Sequence, residues 1–225
     1  MSRVRVKICG VTNRADAELA IALGADALGF NFFEGSKRCI SLDREGEWMA
    51  ALPPFVTRVA VLVNAPLEEA QRVAAHPAID WVQLHGDEDE RWCADFAQAP
   101  APAMPHLLPG QPFIKALRLR DAATIARAHR FSTRHVLLDA QAGAAYGGTG
   151  TLIDLELAAE FARRQPELTL ILAGGLTPGN VAGAVRTVRP FAVDVASGVE
   201  LAGNPRRKDP ERVRAFVEAV RGAVQ

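Results

Sequence analysis

The stretch RHVLLDAQAGAAYGGTG, residues 134–150, carries the pattern on which the fold turns. Val136, Leu137 and Leu138 form a short apolar run with the length and branching of a buried strand. The run stops on a carboxylate, Asp139. Small residues follow, then Gly147, Gly148, Thr149 and Gly150, and a helical pattern starts near Thr151. A buried strand that passes through a glycine-rich loop into a helix is one unit of a parallel α/β fold. Such folds place their sites at the carboxyl ends of the strands. Asp139 therefore stands where chemistry is done; the plain alternative is an acid that caps a loop. The loop 140–150, small residues with only Tyr146 as an apolar anchor, predicts a lid ordered by ligand.

Working outward, the same unit repeats. Strands are predicted at 4–8, 27–31, 56–63, 80–84, 113–117, 136–138, 168–173 and 191–195. The run 56–63 is nearly continuous in Val, Ala and Leu, as a strand buried on both faces must be. Helices are predicted between them: 13–23 with Gly24 as its stop, 41–52 with Ser41 as cap, and 66–75 behind Pro66. An acidic stretch, Asp87 to Glu90, starts the fourth, and the fifth covers 121–129. The sixth begins near Thr151, and the seventh opens on Thr177 as cap with Pro178 at its first position. The eighth repeats that device at Asp209 and Pro210, with Val213, Phe216, Val217, Val220 and Val224 as its apolar stripe. Residues 100–112 hold five prolines and fit neither element, so they read as a spacer away from the strand ends. Eight units of about 28 residues each predict a (β/α)8 TIM barrel, with residues 1–225 as a single domain.

Composition narrows the function. Lys and Arg total 26 and Asp and Glu total 26, so no net charge attracts nucleic acid or an anionic membrane. A phosphorylated ligand would have to be held mostly by backbone amides. The three cysteines are scattered and unpaired in spacing, which fits a reducing compartment, and the first residues lack a signal peptide's apolar core. A cytoplasmic protein is expected. The five histidines show no metal-ligand spacing, so no metal is expected.

In a barrel the strand ends share one mouth. The candidates there are Cys9, Arg38, Gln83 with His85, Asp139, Gly174 with Gly175, and Ser197 with Gly198. Each has a plainer reading: a buried thiol, a solvated loop charge, a hydrogen-bonded core histidine, turn glycines. Loops after strands seven and eight are a common phosphate site in this fold, and Gly174-Gly175 and Ser197-Gly198 occupy those two places.

Several fragments together resemble one family. They are KICG (7–10), SKR (36–38), VQLHGDE (82–88), LLD (137–139), GGTG (147–150), LAGGLTPGNV (172–181), DVASGVE (194–200) and KD (208–209). In this order they resemble the phosphoribosylanthranilate isomerases of tryptophan biosynthesis. Related phosphate-binding barrels share the late glycines; Cys after strand one together with Asp after strand six sets this family apart. Departures are Lys37, where the family often has proline, Ile153 and Leu155 in place of aromatics, and the proline-rich segment.

The resemblance implies an Amadori rearrangement of N-(5-phosphoribosyl)anthranilate to the carboxyphenylamino-deoxyribulose phosphate. It makes Asp139 the general acid at the ring oxygen and Cys9 the general base at the adjacent sugar carbon. It makes Arg38 the holder of the anthranilate carboxylate, with Gln83 and His85 lining the substrate and the late loops binding phosphate. No cofactor is implied, and the expected assembly is a monomer or weak homodimer. The required protonation is the reverse of what reference values of ~8.5 for a thiol and ~3.9 for an aspartate give at neutral pH. Along the first strand Arg5, Lys7 and Cys9 share a face, so Lys7 beneath Cys9 would lower its pKa; the alternative is a structural ion pair. Two rival functions are a Schiff-base aldolase using Lys115 and a barrel that binds a sugar phosphate without catalysis.

Overall fold

A computed structural model describes residues 3–98, 113–140 and 152–223. Eight parallel strands close in sequence order: β1 (Arg5–Cys9), β2 (Ala27–Asn31), β3 (Thr57–Leu62), β4 (Trp81–Leu84), β5 (Phe113–Leu119), β6 (His135–Ala140), β7 (Thr169–Leu172) and β8 (Ala192–Val195). β8 returns to β1 with Lys7 opposite Asp194, which closes the barrel. The helices are α1 (Arg14–Leu23), α2 (Leu42–Ala50), α3 (Leu67–Ala74), α4 (Glu90–Ala97), α5 (Ala122–Arg127), α6 (Leu155–Arg164), α7 (Val181–Val188) and α8 (Pro210–Gly222). The (β/α)8 architecture is the one the repeating units predicted. The proline-rich segment and the glycine-rich loop lie outside the described residues. Among those described, no helix is long and apolar enough to cross a membrane.

Strand alternation sorts the side chains into two packed layers. Val59, Ile114, Ala116, Leu137, Ile171, Ala173 and Ala192 fill the barrel interior. The alternate strand residues, such as Ile8, Leu28, Ala60, Val82, Phe113, Leu138 and Val193, face outward under the helices. Both faces are therefore buried, which is why the strands read as continuous apolar runs. Helix starts are held by Asn13, Asp89, Asp121, Asp154 and Asp209, whose side chains accept from first-turn amides. Each such cap stabilises by about 1 kcal/mol.

Three local expectations need correction. α7 begins at Val181 rather than behind Thr177 and Pro178. Asn180 takes the Thr177 amide on its Oδ1 (2.8 Å) and donates to the Gly175 carbonyl (3.0 Å), so this segment folds into a tight loop. α6 begins at Leu155 rather than near Thr151, because Asp154 is the better cap. The segment after β8 is not a plain loop. A 3-10 turn (Ser197–Val199) leads into a hairpin of β9 (Glu200–Leu201) and β10 (Asn204–Lys208), reversed at Gly203 with φ +75°.

Candidate active site

Parity puts Lys7, Cys9, Gln83, Asp139 and Asp194 on inward-facing positions, because they alternate with strand residues packed under the helices. Cys9 stands at the end of β1 opposite Gly29 on β2. A Cβ on Gly29 would lie 2.7 Å from the Cys9 sulfur and 3.1 Å from the Lys7 ammonium. Gly29 thus leaves the space that the two polar groups share. Glycine inside a strand is the sequence signal that could have found it. Lys7 Nζ donates to Asp194 Oδ1 at 2.7 Å, and both side chains are nearly fully buried.

The charges around the thiol oppose one another. Burial pushes the Cys9 thiol up; Lys7 pulls it down, Asp194 pushes it up again, and Lys208 pulls it down. Burial prevails, so the thiol stays above the ordinary cysteine value. Burial works against the Lys7 ammonium, but Asp194 and Cys9 together keep it above the ordinary lysine value. Lys7 is therefore a buried ion-pair partner of Asp194, and its pull on the Cys9 thiol is outweighed by burial.

Asp139 is the next-to-last residue of β6, beside His85. Its Oδ1 accepts from the Ala140 amide (2.8 Å), and its Oδ2 is 3.2 Å from His85 Nε2. His85 Nδ1 lies 2.7 Å from Gln83 Nε2, and Gln83 is fully buried. With the amide donating to Nδ1, the imidazole carries its proton on Nε2 and Asp139 accepts it as a carboxylate. A protonated Asp139 can donate to Nε2 only once the imidazole proton moves to Nδ1. That state suits the other orientation of the Gln83 amide, whose Oε1 has no hydrogen-bond partner among the described residues. The orientation of the Gln83 amide is thus tied to the tautomer that His85 presents to Asp139.

Arg38 is not a loose loop charge. Its Nε and Nη2 donate to Glu200 Oε1 and Oε2 at 2.5 and 3.0 Å. Lys208, fully buried, holds the same carboxylate at 3.3 Å and the Ala196 carbonyl at 3.2 Å. Gly10, at φ +70°, makes room for this: a Cβ there would be 2.2 Å from Arg38 Cδ. Burial lowers the Arg38 guanidinium and the Glu200 bonds more than offset it. The fork is therefore aimed in advance, and its opposite edge is the one a ligand carboxylate can meet.

Between the loops after β7 and β8 lies a cavity of about 320 Å³ lined by Gly175, Thr177, Ser197, Gly198 and Arg212, among others. Gly198 lets the loops touch, since a Cβ there would fall 2.0 Å from the Leu176 carbonyl oxygen. Gly174, with φ +88°, instead packs against the Ala140 amide at the end of β6. Arg212 was not foreseen; a charge in a helical stripe carries no sequence signal for a cavity wall.

Lys115 is on the other side of its strand. It sits between Phe113 and Leu117, which pack under the helices, and pairs with Glu88 Oε2 at 2.6 Å while donating to the Gly86 carbonyl. Glu88 also accepts the Asn64 and Gly86 amides. A lysine so paired and facing away from the barrel interior is a structural brace, which removes the aldolase reading. Cys93 is likewise inert, with burial pushing its thiol up to about 12.

Known proteins place the whole chain in a family. The profile of the N-(5'-phosphoribosyl)anthranilate (PRA) isomerase family matches residues 6–219. An N-(5'-phosphoribosyl)anthranilate isomerase of Neisseria meningitidis is 42% identical over 219 residues, covering 96% of each chain. The crystal structure of the phosphoribosyl anthranilate isomerase of Thermotoga maritima superposes with a TM-score of 0.82 at 38% identity, over 97% of this chain and 99% of that one. A phosphoribosyl anthranilate isomerase solved with reduced 1-(o-carboxyphenylamino)-1-deoxyribulose 5-phosphate has a TM-score of 0.79 at 37% identity, over 97% of this chain and 99% of the other. A family profile matched over residues 6–219 and a relative 42% identical over 96% of this chain give one conclusion: the chain belongs to the N-(5'-phosphoribosyl)anthranilate isomerase family.

Proposed function

We propose that Asp139 and Cys9 are the acid and base with which this chain isomerises N-(5-phosphoribosyl)anthranilate to 1-(2-carboxyphenylamino)-1-deoxyribulose 5-phosphate. The observation that carries this reading is their placement. Each stands at the carboxyl end of a strand on an inward-facing position, Cys9 last in β1 against Lys7 and Asp139 next to last in β6 against His85. Asp139 gives its proton to the furanose ring oxygen as the C1–O bond breaks and the anilinic nitrogen forms an imine. Cys9 takes the proton from C2, giving an enolamine that tautomerises to the ketone. Protons and electrons balance within the substrate, so the reaction needs no cofactor.

Arg38, fixed by Glu200, holds the anthranilate carboxylate bidentately. Gly175, Ser197 and Gly198 hold the phosphate in their cavity, and Gly174 sets the approach of that loop to Asp139. Gln83 and His85 line the substrate and set the proton on the acid. Burial leaves the Cys9 thiolate a minority at neutral pH, opposed by Lys7 and Lys208. Turnover therefore draws on a small reactive fraction of the protein.

The partner is a small phosphorylated molecule, with neither nucleic acid nor membrane, in keeping with the balanced charge. We take residues 1–225 as one barrel domain, since β1 and β8 pair, and the assembly as a monomer or weak homodimer in the cytoplasm. The test is direct. Purified protein added to phosphoribosylanthranilate without metal should extinguish the substrate's fluorescence. Persistent fluorescence with folded protein would refute the activity.

A further inference from the structure

The cavity between the loops after β7 and β8 is walled, Arg212 apart, by uncharged residues, among them Gly175, Thr177, Ser197 and Gly198. Among its described lining residues, Arg212 supplies the only full charge. A phosphate monoester brings nearly two negative charges at neutral pH. Arg212 also stands where local preference disfavours it. α8 starts at Pro210, and Asp209 accepts from the Arg212 amide at 3.2 Å, so Arg212 is in the first turn. The positive end of the helix dipole disfavours a cation there.

Little in the structure compensates. The guanidinium reaches the Glu200 carbonyl at 3.4 Å and Asp209 Oδ2 at 3.7 Å, and half its side chain is exposed. The Glu200 carboxylate is already occupied by Arg38 and Lys208. A long, weakly tethered guanidinium at the rim of a neutral cavity is free to turn its fork onto an anion, which a point charge cannot match.

We propose that Arg212 is the specificity-determining residue for the phosphate: its guanidinium closes over the substrate's phosphate and rejects unphosphorylated analogues. This rests on the reading of the cavity as the phosphate subsite. The roles divide cleanly. The loop glycines shape the concavity, and the arginine supplies the charge.

The experiment compares wild type, Arg212→Ala, Arg212→Lys and Ser197→Asp by steady-state kinetics, inorganic phosphate inhibition and thermal unfolding. Arg212→Ala should raise KM roughly tenfold or more, with a much smaller change in kcat. The inhibition constant for inorganic phosphate should rise by a similar factor, and the melting temperature should stay put. Arg212→Lys should recover part of both, as a charge without the fork does. Unchanged KM and phosphate inhibition in Arg212→Ala, with an active wild type, would overturn the role of Arg212 and leave the cavity standing. Unchanged KM and phosphate inhibition in Ser197→Asp would instead overturn the cavity as the subsite, and Arg212 with it.

Discussion

Arg38 and Glu200 meet fork to fork across 162 residues of chain, with Lys208 buried behind the same carboxylate. The arginine read as a ligand-binding loop residue is thereby also part of a buried charge cluster. Its geometry is set before any ligand arrives, which lowers the ordering cost of binding.

Replacing Arg38 with Ala should weaken substrate binding by about 1.5–3 kcal/mol, read as KM. The fold should also feel the loss, because Glu200 keeps only Lys208. Glu200→Gln should be worse for stability, by about 3–5 kcal/mol, since it leaves two buried cations facing a neutral amide. Its KM should rise although Glu200 touches no substrate. Kinetics alongside chemical unfolding separate the two effects; an unchanged KM in both variants would remove this pair from the site.

Cys9→Ala and Asp139→Asn should each abolish turnover while still binding a product analogue. Both side chains sit at strand ends and neither carries the hydrophobic core. Calorimetric titration with a reduced product analogue measures the binding. An active Cys9→Ala protein would end the base assignment.

Alkylation of Cys9 should be slow at neutral pH and climb as pH rises past the ordinary thiol value. The sign follows from burial. The thiol is held above its usual pKa, so the reactive thiolate appears later on the pH scale. Lys7→Met removes a downward pull and should slow alkylation further. Pairing it with Asp194→Asn keeps the barrel free of an unpaired carboxylate. Mass spectrometry of iodoacetamide-treated protein across pH gives the rates, and a double variant alkylated no more slowly than Asp194→Asn alone would contradict the part given to Lys7.

Gly29→Ala should impair turnover more than its size suggests. The new methyl would sit 2.7 Å from the Cys9 sulfur and 3.1 Å from the Cys9 Cα. The thiol can rotate but the backbone cannot, so overpacking of about 1–3 kcal/mol is expected. Thermal unfolding and kcat report it; a wild-type kcat would mean the sulfur sits elsewhere during catalysis.

The sequence by itself determined the barrel. Eight apolar runs of strand length alternate with capped amphipathic segments, and burial on both strand faces forces that pattern whatever the loops do. It also placed Cys9 and Asp139 at strand ends, because a polar residue closing an apolar run is a local signal. Only tertiary structure decided the rest. Lys115 reads like Lys7, a cation inside a strand, but parity sends Lys115 outward to Glu88 and Lys7 inward to Asp194. The partners of Arg38 and Lys208 lie on other elements, and the hairpin that brings Glu200 to them has no apolar period. Pairing between distant charges leaves no trace in either residue's neighbours. It comes into being only when the closed barrel brings the ends of the chain together.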